Sequence, residues 1–398
     1  MSKNSPFKNI AVIGAGTMGS GIAGQIANSE QEVLLLDIPG KTPNSITEDA
    51  VKKLIRSDPP ALMHKNKANL IKVGNIRDDF NKLANCDLII EAVVERLDIK
   101  KDLYNRINNI VNSKCVITSN TSTIPIKLLV EDMPQSFRER FAITHYFNPV
   151  RFMRLLELVR GEHTKSEIIK KLADYNDRIL GKGVVACNDT PGFLGNRVGV
   201  YALQVGMDEA YKLNLTVEEA DSLMGRPMGI PKTGIFGLYD LIGIDLMSDV
   251  VDTLGTILPD NDNFHKVGAS NIPTAELIKK MIDEGFTGNK GKGGFYRLDE
   301  KENEFYLDIY NNKTIQKSTQ LNEKAKVSAE LLEKGKETLF HLIKNNSNDI
   351  QEKKYTSFSR NVLGRVLHYA SSLIPEITSS PQDIDDAMKL GFNWQRGP

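Results

Sequence analysis

The stretch from Asn9 to Asp37 constrains the fold of this chain more than any other. A short apolar run, Ile10 to Ile13, is followed by the turn GAGTMG, by a helical pattern, and by a second apolar run that ends on Asp37. Both apolar runs have the length of buried strands. Strand, glycine turn, helix, strand and acid form the dinucleotide-binding fingerprint in its required context. The sequence therefore predicts a Rossmann-type α/β domain.

The three glycines of this turn have different tasks. Gly14 permits the tight turn, and Gly19 lets the helix sit close to the strand. Gly16 lacks a Cβ, so the backbone can approach a pyrophosphate. The helix that begins with Thr17 and Met18 offers free N–H groups and a partial positive charge to the phosphates. All five positions are predicted to bind the cofactor.

The acid that ends the second strand identifies the nucleotide. Asp37 can accept hydrogen bonds from an adenine-ribose 2′-OH, and its charge would repel a 2′-phosphate. NAD is therefore favoured over NADP. A GxGxxG pattern alone is weak, and the alternative is a glycine-rich turn without a ligand. The two strands and the acid favour nucleotide binding.

Composition excludes several classes of protein. Lys plus Arg and Asp plus Glu each number 51 in 398 residues, so the formal net charge is zero. This balance gives no sign of a nucleic-acid partner or a membrane surface. The longest apolar runs are strand-sized, and the first residues lack the apolar core of a signal peptide. The three cysteines and six histidines show no metal-ligand spacing, so no metal is predicted, and reduced thiols fit the cytoplasm.

Strand and helix patterns divide the chain into three parts. Up to residue 189, buried-strand runs such as DLIIEAVV alternate with helical patterns, which predicts a doubly wound, mostly parallel sheet. This part, residues 1–189, is the predicted NAD-binding domain. Residues 190–300 are predicted to form a helical substrate domain. The charged stretch 298–325 is predicted to be irregular, and residues 325–398 to be helical again.

The last part is predicted to be a partial repeat of the helical domain. The stretch Thr216 to Met224 matches Ser380 to Met388 in pattern. The second copy stops where a further helix of the first copy would begin, which leaves an apolar face uncovered. We therefore expect the natural chain to be longer, with this second copy truncated.

Four polar positions could form a catalytic site: Ser122, His145, Glu157 and Asn196. In an open α/β sheet, ligands bind beyond the carboxyl ends of the strands, where Ser122 and His145 are predicted to lie. Oxidation of a hydroxyl group needs a base for its proton, and neutral histidine suits that task near pH 7. A carboxylate on the second ring nitrogen would fix the tautomer.

Each of these residues also has a structural explanation. A histidine at a strand end is more often a satisfied structural residue than a catalytic one. A lone glutamate is usually solvated, and Ser122 or Asn196 could simply cap a turn or helix. Without further information the residue pattern alone leaves both interpretations open.

The sequence resembles the L-3-hydroxyacyl-CoA dehydrogenase family over residues 8 to 297. The matching stretches are GAGTMG at Gly14–Gly19, EAVVE at Glu91–Glu95, SNTST at Ser119–Thr123, HYFNPV at His145–Val150, LLE at Leu155–Glu157, DTPGFLGNR at Asp189–Arg197 and GKGGFY at Gly291–Tyr296. The resemblance implies that His145 is the general acid/base and Glu157 its partner, with Ser122 and Asn196 on the reacting oxygen. It further implies an NAD site made by the positions Gly14, Gly16, Thr17, Met18, Gly19, Asp37, Glu95, Lys100, Asn120, Asn148 and Lys290.

The resemblance also implies a substrate and partners. An acyl-CoA would lie between the two domains, and the partial repeat is similar to the second C-terminal domain of long members fused to an enoyl-CoA hydratase. A fused or associated hydratase and a homodimer are therefore both possible partners. The turn PMGIPKTGIFGLYD, from Pro227 to Asp240, departs from the family's PMGPFEL-like pattern, so acyl preference stays open. The short helical excursion after Asp37 leaves the CoA contacts open.

The expected function is NAD-dependent oxidation of an L-3-hydroxyacyl-CoA to the 3-ketoacyl-CoA in fatty-acid β-oxidation. Two alternatives differ from it in class. One is an NAD-dependent dehydrogenase of a small free hydroxy acid or sugar acid. The other is a catalytically idle NAD-binding module.

Overall fold

The chain divides into two compact units. We describe them from a computed structural model over residues 5–268, 273–316, 323–344 and 347–398. The first unit comprises Met1–Leu194 with Pro375–Gly391, and the second comprises Gly195–Ile374 with Phe392–Pro398. Residues 375–391 thus belong to the first unit, apart from the rest of the 325–398 segment. The domain boundaries near residues 189, 300 and 325 stay predictions.

An eight-stranded sheet organises the first unit. Its strands stand in the order β3-β2-β1-β4-β5-β6-β7-β8. Neighbouring strands are parallel except for the antiparallel pair β6–β7. The predicted doubly wound, mostly parallel sheet is therefore confirmed. The strands are β1 Ile10–Ile13, β2 Val33–Asp37, β3 Ile71–Asn75, β4 Leu88–Glu91, β5 Val116–Ser119, β6 Phe141–Tyr146, β7 Leu155–Arg160 and β8 Gly183–Asn188.

Helices cover this sheet because its central strands are buried and apolar. The chain order reverses between β1 and β4, and the carboxyl ends of strands at such a switch point form a ligand crevice. In the helical excursion after Asp37, residues Lys65–Leu70 form a 3₁₀ turn. The α-helices are α1 Thr17–Asn28, α2 Ser45–Arg56, α3 Leu97–Asn108, α4 Ile126–Val130, α5 Gln135–Arg138 and α6 Ser166–Asp174, which continues into a π-helical turn, Tyr175–Ile179.

The second unit is mainly helical, as expected. The helix α7 packs against α15, where the rings of Tyr201 and Tyr369 stack 3.9 Å apart. Arg365 of α15 also pairs with Asp208 and Glu209 of α7. The helices are α7 Gly195–Lys212, α8 Val217–Leu223, α9 Phe236–Ile242, α10 Ile244–Ile257, α11 His265–Gly268, α12 Pro273–Asp283, α13 Glu323–Glu333, α14 Thr338–Ile343 and α15 Ile350–Ser372.

The prediction that residues 298–325 are irregular is wrong for most of the described part. Three strands, β9 Tyr296–Leu298, β10 Glu304–Asp308 and β11 Lys313–Gln316, form an antiparallel sheet. The centre of β10 buries Tyr306 and Leu307. Charged residues at the strand ends conceal this short apolar core in the sequence. Residues 317–322 lie outside the described part of the chain.

The repeated pattern corresponds to two helix pairs. The pair α7–α8 belongs to the second unit, whereas the last helix of the other pair, α16 Pro381–Gly391, packs against β8 in the first unit. There the Leu390 side chain lies beside Gly183. The Asn188 N–H donates to the Ile377 carbonyl at 2.8 Å, which covers part of the sheet edge. No helix in the described ranges is both long and apolar enough to cross a bilayer.

Candidate active site

The glycine turn between β1 and α1 is tightly built. Gly14 has φ +104°, and a Cβ there would lie 2.3 Å from the Ala92 carbonyl oxygen. A Cβ on Gly19 would lie 1.9 Å from the Gly14 oxygen. A Cβ on Gly16 would meet nothing within 4 Å. Gly14 and Gly19 are therefore required by the fold, while Gly16 leaves an open surface that a ligand can approach.

The first turn of α1 is suited to bind an anion. Gly16 is its N-cap and supplies no side chain to satisfy the first N–H groups. Thr17 is exposed and Met18 half-buried at the start of this helix. Free N–H groups and the helix dipole favour a phosphate at this position. The open surface at Gly16 and this helix end fit the pyrophosphate of NAD.

Asp37 is fixed beside the glycine turn. One carboxylate oxygen accepts a hydrogen bond from the Ala15 N–H at 2.5 Å, and the other accepts from the Ile38 N–H at 2.6 Å. Each carboxylate oxygen can accept a second hydrogen bond. The half-buried carboxylate can therefore still accept from the hydroxyl groups of a ribose.

Lys100 is buried rather than exposed to a ligand. Its Nζ lies 2.7 Å from an oxygen of Glu91 and 3.2 Å from one of Glu95. Burial raises the pKa of the Glu95 carboxyl, but the Lys100 ammonium and the hydroxyls of Thr121 and Thr123 outweigh it and leave the pKa below its usual range. Lys100 thus orients an ionised Glu95, whose side chain is 39% exposed.

Glu91 was not predicted as a site residue, yet it links three elements behind Glu95. Its carboxylate accepts hydrogen bonds from Lys100 and from the hydroxyls of Tyr104 and Ser119, at 2.7, 2.6 and 2.7 Å. Glu91 is fully buried. Its only signal in the sequence is the first position of the EAVVE stretch.

Asn120 and Ser122 follow β5, as predicted. The Asn120 Oδ1 accepts a hydrogen bond from the Tyr146 N–H at 2.9 Å, which ties the end of β5 to the end of β6. Ser122 is half-buried in the turn fixed by the Thr121 hydroxyl, to which the Ile124 N–H donates at 3.0 Å. The Ser122 hydroxyl makes no hydrogen bond within the described ranges of the chain.

His145 and Glu157 meet across the antiparallel strands β6 and β7. They are direct partners in the register of this pair, so their side chains project from the same face. The His145 Nδ1 lies 2.6 Å from Oε2 of Glu157, and both side chains are buried. An ionised Glu157 accepts from Nδ1–H, which leaves the lone pair on Nε2. This is the arrangement a general base requires.

Neighbouring groups hold this pair in place. The Leu194 N–H donates to Oε1 of Glu157 at 3.0 Å. The rings of Phe147 and Phe193 lie 4.6 and 5.7 Å from the His145 ring, between centroids. The imidazole therefore has restricted rotation and little access to water. The sequence pattern did not single out these two aromatic residues.

A cavity of about 620 Å³ adjoins the glycine turn. Gly16 and Thr17 line one side, α2 contributes Lys53, and the segment after β6 contributes Asn148 and Arg151. A cavity of this volume lies within the usual range of small-molecule sites. Asn148, predicted as a cofactor contact, is thus exposed in a cavity wall beside the turn.

Asn196 and Lys290 belong to the second unit. Asn196 is the second residue of α7 and is half-buried. The Lys290 Nζ lies 2.6 Å from a carboxylate oxygen of Asp245. The hydrogen bond from Lys290 lowers the pKa of the Asp245 carboxyl.

Two buried carboxylates of the second unit accept hydrogen bonds from the main chain of the turn Pro227 to Asp240 and of the glycine-rich stretch Gly291–Tyr296. Asp221 accepts hydrogen bonds from the N–H groups of Ile235, Phe236 and Gly237, at 2.6, 2.9 and 3.0 Å. Asp240 accepts from the N–H groups of Phe295 and Tyr296, at 2.9 and 2.7 Å. Burial raises the pKa of Asp221 to about 7 and that of Asp240 to about 6.

The raised pKa of Asp221 predicts a pH-dependent stability. An unfolded chain ionises this residue near its ordinary pKa of 3.8, whereas the folded chain keeps the proton up to about pH 7. Stability is therefore lost as the pH rises between these two values, by roughly 2 to 4 kcal/mol for this group. We expect the melting temperature of Asp221→Asn to fall less between pH 5 and pH 7 than that of the wild type. Parallel pH profiles of the two proteins would contradict this.

The three cysteines and the potential metal ligands were also compared with the sequence-based expectations. Cys86, Cys115 and Cys187 are free and buried. Burial raises the pKa of the Cys86 and Cys115 thiols to about 12 and that of Cys187 as well, so none is a reactive thiolate. Across the described ranges, no group of three or more His, Cys, Asp or Glu side chains is arranged to hold a metal ion.

Comparison with known proteins matches two domains of one family to residues 9–298. Residues 9–190 match the 3-hydroxyacyl-CoA dehydrogenase NAD binding domain, and residues 192–298 match the C-terminal domain of the same family. A Deinococcus radiodurans protein named as a 3-hydroxyacyl-CoA dehydrogenase is 38% identical over 299 residues, which cover 74% of this chain and 84% of the relative. The crystal structure of M. tuberculosis FadB2 has a TM-score of 0.60 at 27% identity, and the match covers 74% of this chain and 100% of that one.

Some relatives are much longer. A Rickettsia felis protein named as a fatty acid oxidation complex trifunctional enzyme is 40% identical over 395 residues. The match covers 98% of this chain and 52% of that protein, so the chain spans about half the length of this relative. With both family domains matched in order, the chain belongs to the 3-hydroxyacyl-CoA dehydrogenase family of NAD-dependent oxidoreductases.

Proposed function

We propose that the protein oxidises L-3-hydroxyacyl-CoA to 3-ketoacyl-CoA with NAD as the hydride acceptor. The single observation that carries this proposal is the buried pair of His145 and Glu157, 2.6 Å apart at the ends of two strands of an NAD-binding sheet. A buried imidazole whose Nδ1 contacts a carboxylate can accept a substrate proton on Nε2, which is the task of a general base.

Each residue of the candidate site has its own role in the proposed reaction. NAD bound at this site would supply the acceptor for the hydride that leaves C3 of the substrate. In the same step the His145 Nε2 takes the proton of the 3-hydroxyl group, which leaves a ketone and an imidazolium. Glu157 holds the ring in orientation and stabilises its positive charge. Ser122 and Asn196 are proposed to hold the reacting oxygen, and His145 returns its proton to solvent.

The cofactor would be held by residues of the first unit. The glycine turn and the first turn of α1 would bind the pyrophosphate, with Asp37 on the adenine ribose. Glu95, with Lys100 behind it, and Asn120 are proposed to complete the site. Lys290 of the second unit stays a predicted contact.

The cavity beside the glycine turn supports a CoA ester over a free acid. A small hydroxy acid needs little space, whereas the cavity of about 620 Å³ extends from Gly16 to α2. Its walls carry two cations suited to phosphate, Lys53 and Arg151, together with the carboxylates of Asp49 and Asp58. We infer that the nucleotide end of the substrate lies here, which gives the excursion after Asp37 a role in binding.

The surrounding pathway is inferred from relatives. Fatty-acid β-oxidation fits the naming of the long relatives as fatty acid oxidation complex enzymes. A fused or associated enoyl-CoA hydratase would supply the hydroxyacyl-CoA. The hydratase, a homodimer and the cytoplasmic location stay predictions, the last consistent with three free cysteines.

A substrate panel tests the proposal. With NADH, the protein should reduce acetoacetyl-CoA and leave free acetoacetate unchanged, and NADPH should support little turnover because Asp37 repels its phosphate. Turnover of acetoacetate alone would favour a dehydrogenase of free acids. Binding of NADH by folded protein without turnover of either compound would favour an idle module.

A further inference from the structure

One buried lysine of the first unit has no carboxylate partner. Lys182, just before β8, is 3% exposed, and no ion pair involves it in the described ranges. Its Nζ donates hydrogen bonds to two main-chain carbonyls, those of Val150 and Met153, the latter at 2.9 Å. An ammonium buried without a counter-ion is costly unless carbonyl groups replace its water. Its placement here therefore requires these two acceptors.

Both carbonyls belong to the segment of residues 148–153, which we call the cavity wall. This segment follows β6, and its residues 148–152 line the cavity beside the glycine turn. Within the described ranges, Lys182 is the only donor to either carbonyl. Without it, the carbonyls of the buried Val150 and the half-buried Met153 would lose their donor, and a buried acceptor without a donor destabilises the conformation that holds it.

Main-chain hydrogen bonds fix the backbone around Lys182. Its N–H donates to the Asn176 carbonyl at 2.9 Å, and the Gly183 N–H donates to the Arg154 carbonyl at 2.8 Å. From the other side, Arg151 donates to the carbonyls of Pro60 and Leu62, at 2.5 and 3.3 Å. Hydrogen bonds thus connect the cavity wall to Lys182 on one side and, through Arg151, to the residues that follow α2 on the other.

We propose that Lys182 is a positioning residue that sets the affinity of this cavity for the nucleotide end of the acyl-CoA by fixing the cavity wall. This inference rests on the proposed function for the identity of the ligand. Lys182 contacts the wall and not the pair of His145 and Glu157. Its loss should therefore weaken binding of the CoA part and leave the chemical step unchanged.

The test compares a full and a truncated substrate in one variant. Lys182→Met removes the donors at similar length, and an apolar side chain suits a buried position. We expect KM for acetoacetyl-CoA to rise roughly tenfold. We expect kcat and KM for acetoacetyl-pantetheine, which lacks the nucleotide, to stay within twofold. The exposed Lys170→Met is the control and should change neither KM.

A purely structural role would give a different result. Equal increases in KM for both substrates, a fall in kcat alone, or no change would each overturn the proposal. If Lys182→Met does not fold, Lys182→Gln, with a shorter polar side chain, is tested in the same way. Calorimetric binding of coenzyme A needs no turnover, and the variant should bind it roughly tenfold more weakly.

The binding measurement separates the two proposals. If the wild type binds coenzyme A, the variant binds it more weakly, and neither turns over acetoacetyl-CoA, the proposed function fails and the role of Lys182 stands. If the wild type reduces acetoacetyl-CoA and the variant binds coenzyme A equally well, the proposed function stands and the role of Lys182 is refuted.

Discussion

Replacing His145 by glutamine should lower kcat for NADH-dependent reduction of acetoacetyl-CoA by about 10² to 10⁴-fold, the usual contribution of a general acid or base. Glutamine can still donate a hydrogen bond to Glu157, but its amide cannot exchange a proton with the substrate near neutral pH. The affinity for NADH, measured by fluorescence titration, should stay within twofold because the glycine turn is unchanged.

The control for this variant is His163→Gln. His163 is an exposed histidine of the same unit, so its loss should leave kcat unchanged. A decrease in kcat of less than tenfold in folded His145→Gln protein would mean that another group moves the proton. A loss of NADH binding together with kcat would instead indicate that the histidine supports the cofactor site.

The second large effect is expected at Gly16. A Cβ there meets no protein atom within 4 Å, so Gly16→Ala should fold with an unchanged melting temperature. The methyl group would, however, occupy the surface that the pyrophosphate approaches. We expect the Kd for NADH to rise about a hundredfold, equivalent to about 2.7 kcal/mol.

Two other glycines make this experiment specific. Gly255→Ala in α10 also meets no atom within 4 Å, lies in the other unit, and should leave NADH binding unchanged. Gly19→Ala should instead destabilise the fold, because its Cβ would lie 1.9 Å from the Gly14 oxygen. Normal NADH affinity in Gly16→Ala would place the pyrophosphate elsewhere.

Local patterns predicted the part of the fold that depends on neighbours in sequence. The strands around the glycine turn, the helix between them and the acid at Asp37 lie where the fingerprint places them. The apolar runs are long enough to identify parallel strands buried on both faces. The strands β9 to β11 were missed, since each has only three to five residues and each carries at least one charged residue.

The contact between His145 and Glu157 could not be predicted from local sequence patterns. His145 and Glu157 were selected by residue type and by resemblance, but their contact depends on the register of β6 against β7. That register follows from the path of residues 147–154, which no local pattern specifies. Lys100 is a second case, because only the fold reveals that its ammonium is enclosed by Glu91 and Glu95.

The buried lysine beneath the cavity wall was not predicted for a similar reason. In the sequence, Lys182 stands between two glycines and looks like a surface residue of a turn. Its burial is a consequence of the carbonyls of Val150 and Met153, which approach it from a segment about 30 residues earlier. Contacts of this range are set by tertiary packing and not by local propensity.

The most direct test of the account is a crystal structure of the protein with NAD and acetoacetyl-CoA bound. We predict that Nε2 of His145 lies within roughly 2.6 to 3.2 Å of the 3-keto oxygen while Nδ1 keeps its contact with Glu157. A keto group bound beyond the reach of this imidazole, or an imidazole turned toward another acceptor, would contradict the assignment of His145 as the acid–base residue.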